Sequence, residues 1–321
     1  MDDPLIELTR GPTLPVAAPI VAIRQATLSA ITDLLTIPDS RLEAAWEWRT
    51  GFVENTDVRY GFYRIHERLE EAAAAIVRGR ATTGDGADVG PAVPILASAM
   101  AARWELRAAI APLRTHDLDA DPGGGEWTVR QTLGHIVGSQ RGYGWFNAWW
   151  LARGHAPGPL PAQAGDARMP PDPDEDQEAL GHPGEILARF DDLLDIAAGR
   201  FGGLTEDDLG IPARWSGVPV DLRFRMGRLG SHIREHTIQV DKTLAMTGRS
   251  ANEVERLVRL IGTSYGRLES LVFARSEAAL DQPFAARDGS AARDGSAARV
   301  LESGADEVRG LAASIGQAAA A

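Results

Sequence analysis

Seven stretches of this chain place apolar residues at the spacing of an α-helix, and almost nowhere do polar and apolar residues alternate as in a strand. The helical stretches are 18–36, 57–79, 92–114, 128–153, 183–201, 222–247 and 251–280, separated by Gly/Pro/Asp clusters at 81–91, 120–125 and 202–221. The pattern predicts an all-α fold, and 321 residues suffice for one large core or two modest ones. One helix start is sharply marked: Thr128-Val-Arg-Gln131 has the form of a capping box, with Thr128 as N-cap and Gln131 three residues on. The stretch 154–183 is long, acidic and proline-rich, which predicts a lid or a flexible insertion. From Asp281 the chain repeats ARDGSA and ends in a run of alanines, which predicts a poorly packed helix or a frayed tail over 281–321.

Composition narrows the chemistry. A net charge of −12 opposes a phosphate backbone and no basic patch offsets it, so nucleic acid is not an expected partner. No apolar run reaches the ~18–20 residues of a membrane span. Acidic residues stand near the start where a secretory signal carries basic ones, so the expectation is a cytoplasmic protein without a membrane partner. Cysteine is absent, which excludes disulfides, thiolate metal ligands and a cysteine nucleophile. A metal must then be held by His and carboxylates, and any thiol must come from outside. Lys242 is the single lysine among 33 basic residues; with the abundant Ala and Gly, this suggests a GC-rich bacterial genome.

The chain resembles itself. Asp57-Val-Arg-Tyr60, then Arg64-Ile65 and Leu69, lines up with Asp221-Leu-Arg-Phe224, Arg228-Leu229 and Ile233. Upstream, Ile37 to Leu42 followed by Trp48 resembles Leu204 to Leu209 followed by Trp215. In this register Arg68 stands where the later copy has His232, and Ala72 where it has His236. Residues 1–90 therefore read as an N-terminal helical region, a degenerate half-repeat without ligands.

Of seven histidines, His232 and His236 lie four apart within a helical stretch, on one face and about 6 Å apart along the axis. Two imidazoles so placed can converge on one ion. Such pairs also occur as ordinary helix histidines, so the surroundings matter. Gln239 follows His236 by one turn and can accept from its ring. His135 sits two turns into the capped helix, flanked by Gly134 and Gly138, which leave room for another helix or a ligand. Facing helices of a bundle can bring such ligands together.

Trp127-Thr-Val-Arg-Gln-Thr-Leu-Gly-His135 and His232-Ile-Arg-Glu-His236-Thr-Ile-Gln239 together resemble the second and last helices of the DinB/YfiT-like bundles, in the right order and about a hundred residues apart. The resemblance covers roughly 92–247. It implies a DinB-like four-helix bundle of the up-down-down-up type over 91–280, with a further N-terminal helical region and an extra C-terminal helix. It also implies a single divalent metal on His135, His232 and His236, zinc first, with nickel or iron as alternatives. Relatives of this kind include transferases and isomerases that activate mycothiol or bacillithiol. The expected function is accordingly metal-dependent activation of a low-molecular-weight, mycothiol-type thiol for S-transfer or isomerisation of a small electrophile. The alternative is a non-catalytic, metal-stabilised ligand-binding or protein-interaction module.

Around the histidines, Ser139, Gly142 and Phe146 share the face of His135 and are expected to line a pocket with Gln239. Arg228, one turn before His232, is positioned to hold a substrate carboxylate or phosphate. Glu235 reads as surface charge, and Tyr143, Trp145, Trp149 and Trp150 as core or subunit interface rather than substrate platform. His155 and His182 read as solvated loop residues and His66 as surface or interface. The expected partners are a small-molecule substrate and a second copy, or a pseudo-dimer made through the N-terminal half.

Overall fold

The computed structural model describes residues 13–49, 56–83, 89–165, 172–285 and 291–321. In chain order its helices are α1 (Ala18–Leu34), α2 (Val58–Thr83), α3 (Val93–Ile110), α4 (Thr115–Asp119), α5 (Val129–Arg153), α6 (Glu175–Glu178), α7 (Pro183–Phe201), α8 (Glu206–Leu209), α9 (Leu222–Met246), α10 (Glu253–Val272), α11 (Glu277–Asp281) and α12 (Ala297–Ala320). Four short strands complete it: β1 (Pro212–Trp215), β2 (Val218–Asp221), β3 (Pro283–Ala285) and β4 (Ala291–Ser296). The fold is all-α, and none of the described helices is long and apolar enough to cross a membrane. The periodic stretches become α1, α2, α3, α5, α7, α9 and α10, with the largest difference at α10, which stops at Val272. The Gly-rich cluster at 202–221 instead yields a hairpin, with Pro212 opposite Asp221 and Trp215 opposite Val218. Its turn, Ser216-Gly217, has positive φ at both residues (47° and 82°), the twist that suits a two-residue hairpin.

The described chain divides into two compact units. The first comprises 13–15, 90–106 and 113–250; the second comprises 16–89, 107–112 and 251–321. In the first, α5 packs on α7 and α9 around Leu133, Ile136, Trp150, Phe190, Leu194, Met226, Leu229 and Ile233, all buried. A Cβ on Gly230 of α9 would come within 3.1 Å of the Ala99 backbone on α3, so this crossing needs glycine. In the second, α12 lies along α1 and α2, and α10 along both of them, around Ile23, Phe62, Ile65, Leu69, Ile261, Leu268, Leu301, Val308 and Ile315.

This division corrects two expectations. Residues 251–280 do not extend the bundle of 91–250, because the apolar stripe of α10 (Val254, Val258, Ile261, Tyr265, Leu268) is buried against α1 and α2. The segment from Ala297 is not a frayed tail. Its small and branched side chains form an amphipathic face, and Ser296 caps it by accepting from the Arg299 amide.

The internal similarity has a counterpart inside each unit. Asp57 caps α2 by accepting from the Tyr60 amide at 2.8 Å, and Asp221 caps α9 by accepting from the Phe224 amide at 2.7 Å. The Val58 amide donates to the Ala44 carbonyl at 2.9 Å, and the Leu222 amide donates to the Ile211 carbonyl at the same distance. Ala45 pairs with Asp57 as Pro212 pairs with Asp221. Taken as α10, α11, α12, α1, α2, the second unit repeats the long and short elements α3, α4, α5, α7, α9. At the position of His232 it carries Arg68, which meets Glu307 at 2.8 Å and donates to Ser303 at 3.2 Å.

The α3–α9 crossing gives a paired test by urea denaturation. Gly230→Val should lower stability by about 1–3 kcal/mol, since backbone cannot move aside as a side-chain end can. Gly227→Ala, exposed on the same helix with no heavy atom near the added methyl, should raise stability by about 1 kcal/mol.

Candidate metal centre

Two helices supply three imidazoles. The capping box at Thr128 forms as expected: its side chain accepts from the Gln131 amide at 3.1 Å while the Gln131 side chain accepts from the Thr128 amide at 2.9 Å. That start fixes the phase of α5 and turns His135 inward. The Asp221 cap does the same for His232 and His236 on α9. One nitrogen from each of the three rings lies within 4.8 Å of the others, and the Nε2 atoms of His232 and His236 are 3.0 Å apart.

The remaining ring nitrogens decide the tautomers. His135 donates from Nδ1 to Glu175 Oε1 at 2.8 Å, and His236 donates from Nδ1 to Gln239 Oε1 at 2.7 Å. Each bond leaves Nε2 as a lone-pair donor facing the cluster. His232 is 6% exposed, and its buried Nδ1 finds no hydrogen-bond partner among the described residues. Burial, and then the neighbouring rings of His236 and His135, push the His232 pKa down to about 3. Burial also lowers the His236 pKa, against the opposing pull of Gln239. Both shifts favour the uncharged rings of His232 and His236, whose nitrogens converge with one of His135. This donor set fits a borderline divalent cation with an open coordination position.

Glu175 comes from the acidic insertion and was not singled out by any spacing in the sequence. It reaches His135 because α5 is bare at Gly134 and Gly138. A Cβ on Gly134 would fall on the Glu175 carbonyl, and one on Gly138 would sit 3.2 Å from the Glu175 side chain and 3.4 Å from Pro173. Arg141 holds Glu178 at 2.5 Å, and Arg130 donates to the Ala179 and Gly181 carbonyls at 2.6 and 2.9 Å. This end of the insertion is therefore fastened to α5, while 166–171 lie outside the described residues. Trp127, just before the cap, covers the cluster with its ring 5.0 Å from His135 and stacked on His236 at 6.4 Å.

Next to the histidines opens a cavity of about 890 Å³. Ser139 lies on its wall with Oγ 3.5 Å from His135 Nε2, and Gly142 and Phe146 also line it. Gln239 serves the ring of His236 and is not among the cavity residues. Tyr143, Trp145 and Trp150 are buried, as core residues are, and also line the cavity. Trp149 packs edge-on against Trp150. The Tyr143 ring sits 5.3 Å from His232, and burial pushes its phenol up to about 12, so it remains a neutral hydroxyl. Arg228 departs from expectation: Glu235 takes it in a two-pronged pair at 2.6 and 2.8 Å, which neutralises it. Glu235, read as plain surface charge, is that partner. His155 donates from Nε2 to the Asp207 carbonyl, His182 meets Thr115, and His66 meets Ser264 in the second unit; none of these joins the cluster.

His232→Ala should abolish stoichiometric binding of zinc, nickel or iron while circular dichroism keeps its helical signal. Glu175→Ala should keep the three ligands but weaken metal affinity about 10- to 100-fold in chelator competition, because His135 loses the acceptor that sets its tautomer. Equal affinity in Glu175→Ala and the parent would show that the bond does not act on the metal.

Residues 100–240 match the family model described as the DinB superfamily. No curated protein and no solved structure matches the chain. The matched segment runs from within α3 to Val240 of α9, includes all three clustered histidines, and leaves α1, α2, α10 and α12 outside. The segment 100–240 thus resembles a DinB-superfamily module, and the histidine cluster lies within it.

Proposed function

We propose that this module is a metal-dependent enzyme that activates a low-molecular-weight thiol of the mycothiol type for S-transfer to, or isomerisation of, a small electrophilic substrate. The observation that carries the reading is the convergence of three imidazoles beside an open cavity. Sites with three protein ligands and a free position are the arrangement of catalytic rather than structural zinc. His135, His232 and His236 would hold a divalent cation, which would supply Lewis-acid chemistry for thiol activation near neutral pH. The chain has no cysteine, so a sulfur nucleophile must arrive as a co-substrate.

The chain's own groups have definable tasks. Glu175 and Gln239 hold the His135 and His236 rings with Nε2 inward. Tyr143 offers a neutral hydroxyl on the cavity wall that can donate to a developing negative charge. Ser139 offers a second hydroxyl beside His135. The aromatic walls exclude water from an apolar substrate.

Zinc-loaded protein incubated with mycothiol and 1-chloro-2,4-dinitrobenzene should form the thioether, read by absorbance, with metal-stripped protein and His232→Ala at background. Stoichiometric metal with no conjugation or isomerisation across several thiols and electrophiles would instead support a non-catalytic, metal-stabilised binding module.

A further inference from the structure

Two arginines with little access to water show how this chain answers a guanidinium with a carboxylate. Arg103, 3% exposed, meets Asp195 at 2.8 Å, and the half-buried Arg24 meets the buried Glu269. Arg225, 5% exposed and on the cavity wall, has no such carboxylate among the described residues. Its Nε donates to Asn147 Oδ1 at 3.0 Å and its Nη1 to the Arg214 carbonyl at 2.5 Å. Arg214, also on the wall, donates to the carbonyls of Pro161 at 2.8 Å and Gly217 at 2.6 Å. Among the described residues no carboxylate stands within ion-pair distance of either guanidinium. The acidic groups on the lining, Asp172 and Glu175, lie with the α6 segment, and Glu175 is committed to His135.

A cation taken out of water without a counter-ion is unfavourable, and neutral carbonyl partners only partly offset that. Burial lowers the Arg225 pKa to about 10, which leaves it charged at neutral pH. The Trp215 ring lies 5.3 Å from the guanidinium carbon and Phe146 5.8 Å, so the charge sits among aromatic faces. Arg225, His232 and His236 are spaced seven and four along α9, which puts them on one stripe. About 10 Å of helix axis separates the first two.

We infer that Arg225, with Arg214 beside it, forms the anion-binding end of the cavity, and that the substrate is an aryl or similarly planar carboxylate whose body lies between Tyr143, Phe146 and Trp215. The inference rests on the reading of this cavity as the substrate site of the metal centre. A carboxylate matches the planar guanidinium in a two-pronged pair and supplies the missing counter-charge. The aromatic walls take an apolar, flat body.

The test is binding, without thiol or turnover. Metal-stripped protein, in which no cation can take the carboxylate, is titrated with 2-naphthoate and with its uncharged amide, followed by tryptophan fluorescence and by calorimetry. The carboxylate should bind more tightly than the amide. Arg225→Met should weaken the carboxylate at least tenfold and leave the amide unchanged, and Arg225→Lys should recover part of the loss. Arg214→Met, which does not touch the Asn147 bond, should weaken the carboxylate several-fold and makes the same comparison if Arg225→Met does not fold. Equal binding of acid and amide to the parent, or of the acid to the parent and the arginine variants, would overturn the inference. Because no thiol is present, that result is distinct from a failure of the thiol reaction.

Discussion

Three imidazoles can share a few ångströms of protein interior only if their inward nitrogens are free of protons. A protonated ring there would face two like neighbours and have lost its water. Much of the surrounding structure enforces that condition. Glu175 and Gln239 each occupy an outward Nδ1, Trp127 closes the outside, and burial disfavours the charged forms of His232 and His236. The Glu175 bond in turn needs α6 to lie close on α5. Gly134 and Gly138 permit that approach, and Arg130 and Arg141 fasten it. Two missing side chains on one helix are therefore part of the machinery that sets a histidine tautomer.

The second unit shows which features belong to the scaffold and which to the site. It builds the same helix start, with Asp57 in place of Asp221, and the same buried positions, with Ile65 and Leu69 in place of Leu229 and Ile233. Where the first unit carries His232 and His236, it carries Arg68 and Ala72, and Arg68 is answered by Glu307. A helical core of this kind is thus held by its apolar packing and caps, and in the second unit no histidine cluster is needed to hold it. The histidines of the first unit are an addition to a frame that stands on other interactions.

The helices, the capping box and the His232/His236 pair were legible because each is local, whereas distant His135 joined them through the family resemblance. Periodicity, N-cap chemistry and a four-residue spacing all act within a turn or two of helix. What escaped the sequence is what depends on distant partners. Glu175 lies forty residues from His135, in a segment whose composition predicts a lid or a flexible insertion and names no partner. The stripe on α10 announces burial but not that α1 and α2 supply the partner surface. The β1–β2 hairpin did leave a trace, since Ser216-Gly217 between Trp215 and Val218 is a two-residue turn signal, but its strands are too short for alternation to register. Arg228 and Arg225 illustrate the limit best. Both lie on the same helix near His232, and only the geometry shows that Glu235 neutralises the first while the second faces the cavity without a carboxylate.

These features meet on α9. Its N-cap at Asp221 fixes the rotation of the helix, and the hairpin before it delivers Arg214 and Trp215 to the same wall. From that start the helix presents Arg225, then His232 and His236, along one stripe, with Gly230 seating it against α3. A slip of one residue in this helix would rotate all of them together by about 100° and turn the stripe away from the site. The Asp221 cap therefore has a consequence beyond its own hydrogen bond: it sets the rotation at which this stripe puts Arg225 on the cavity wall and His232 and His236 against His135.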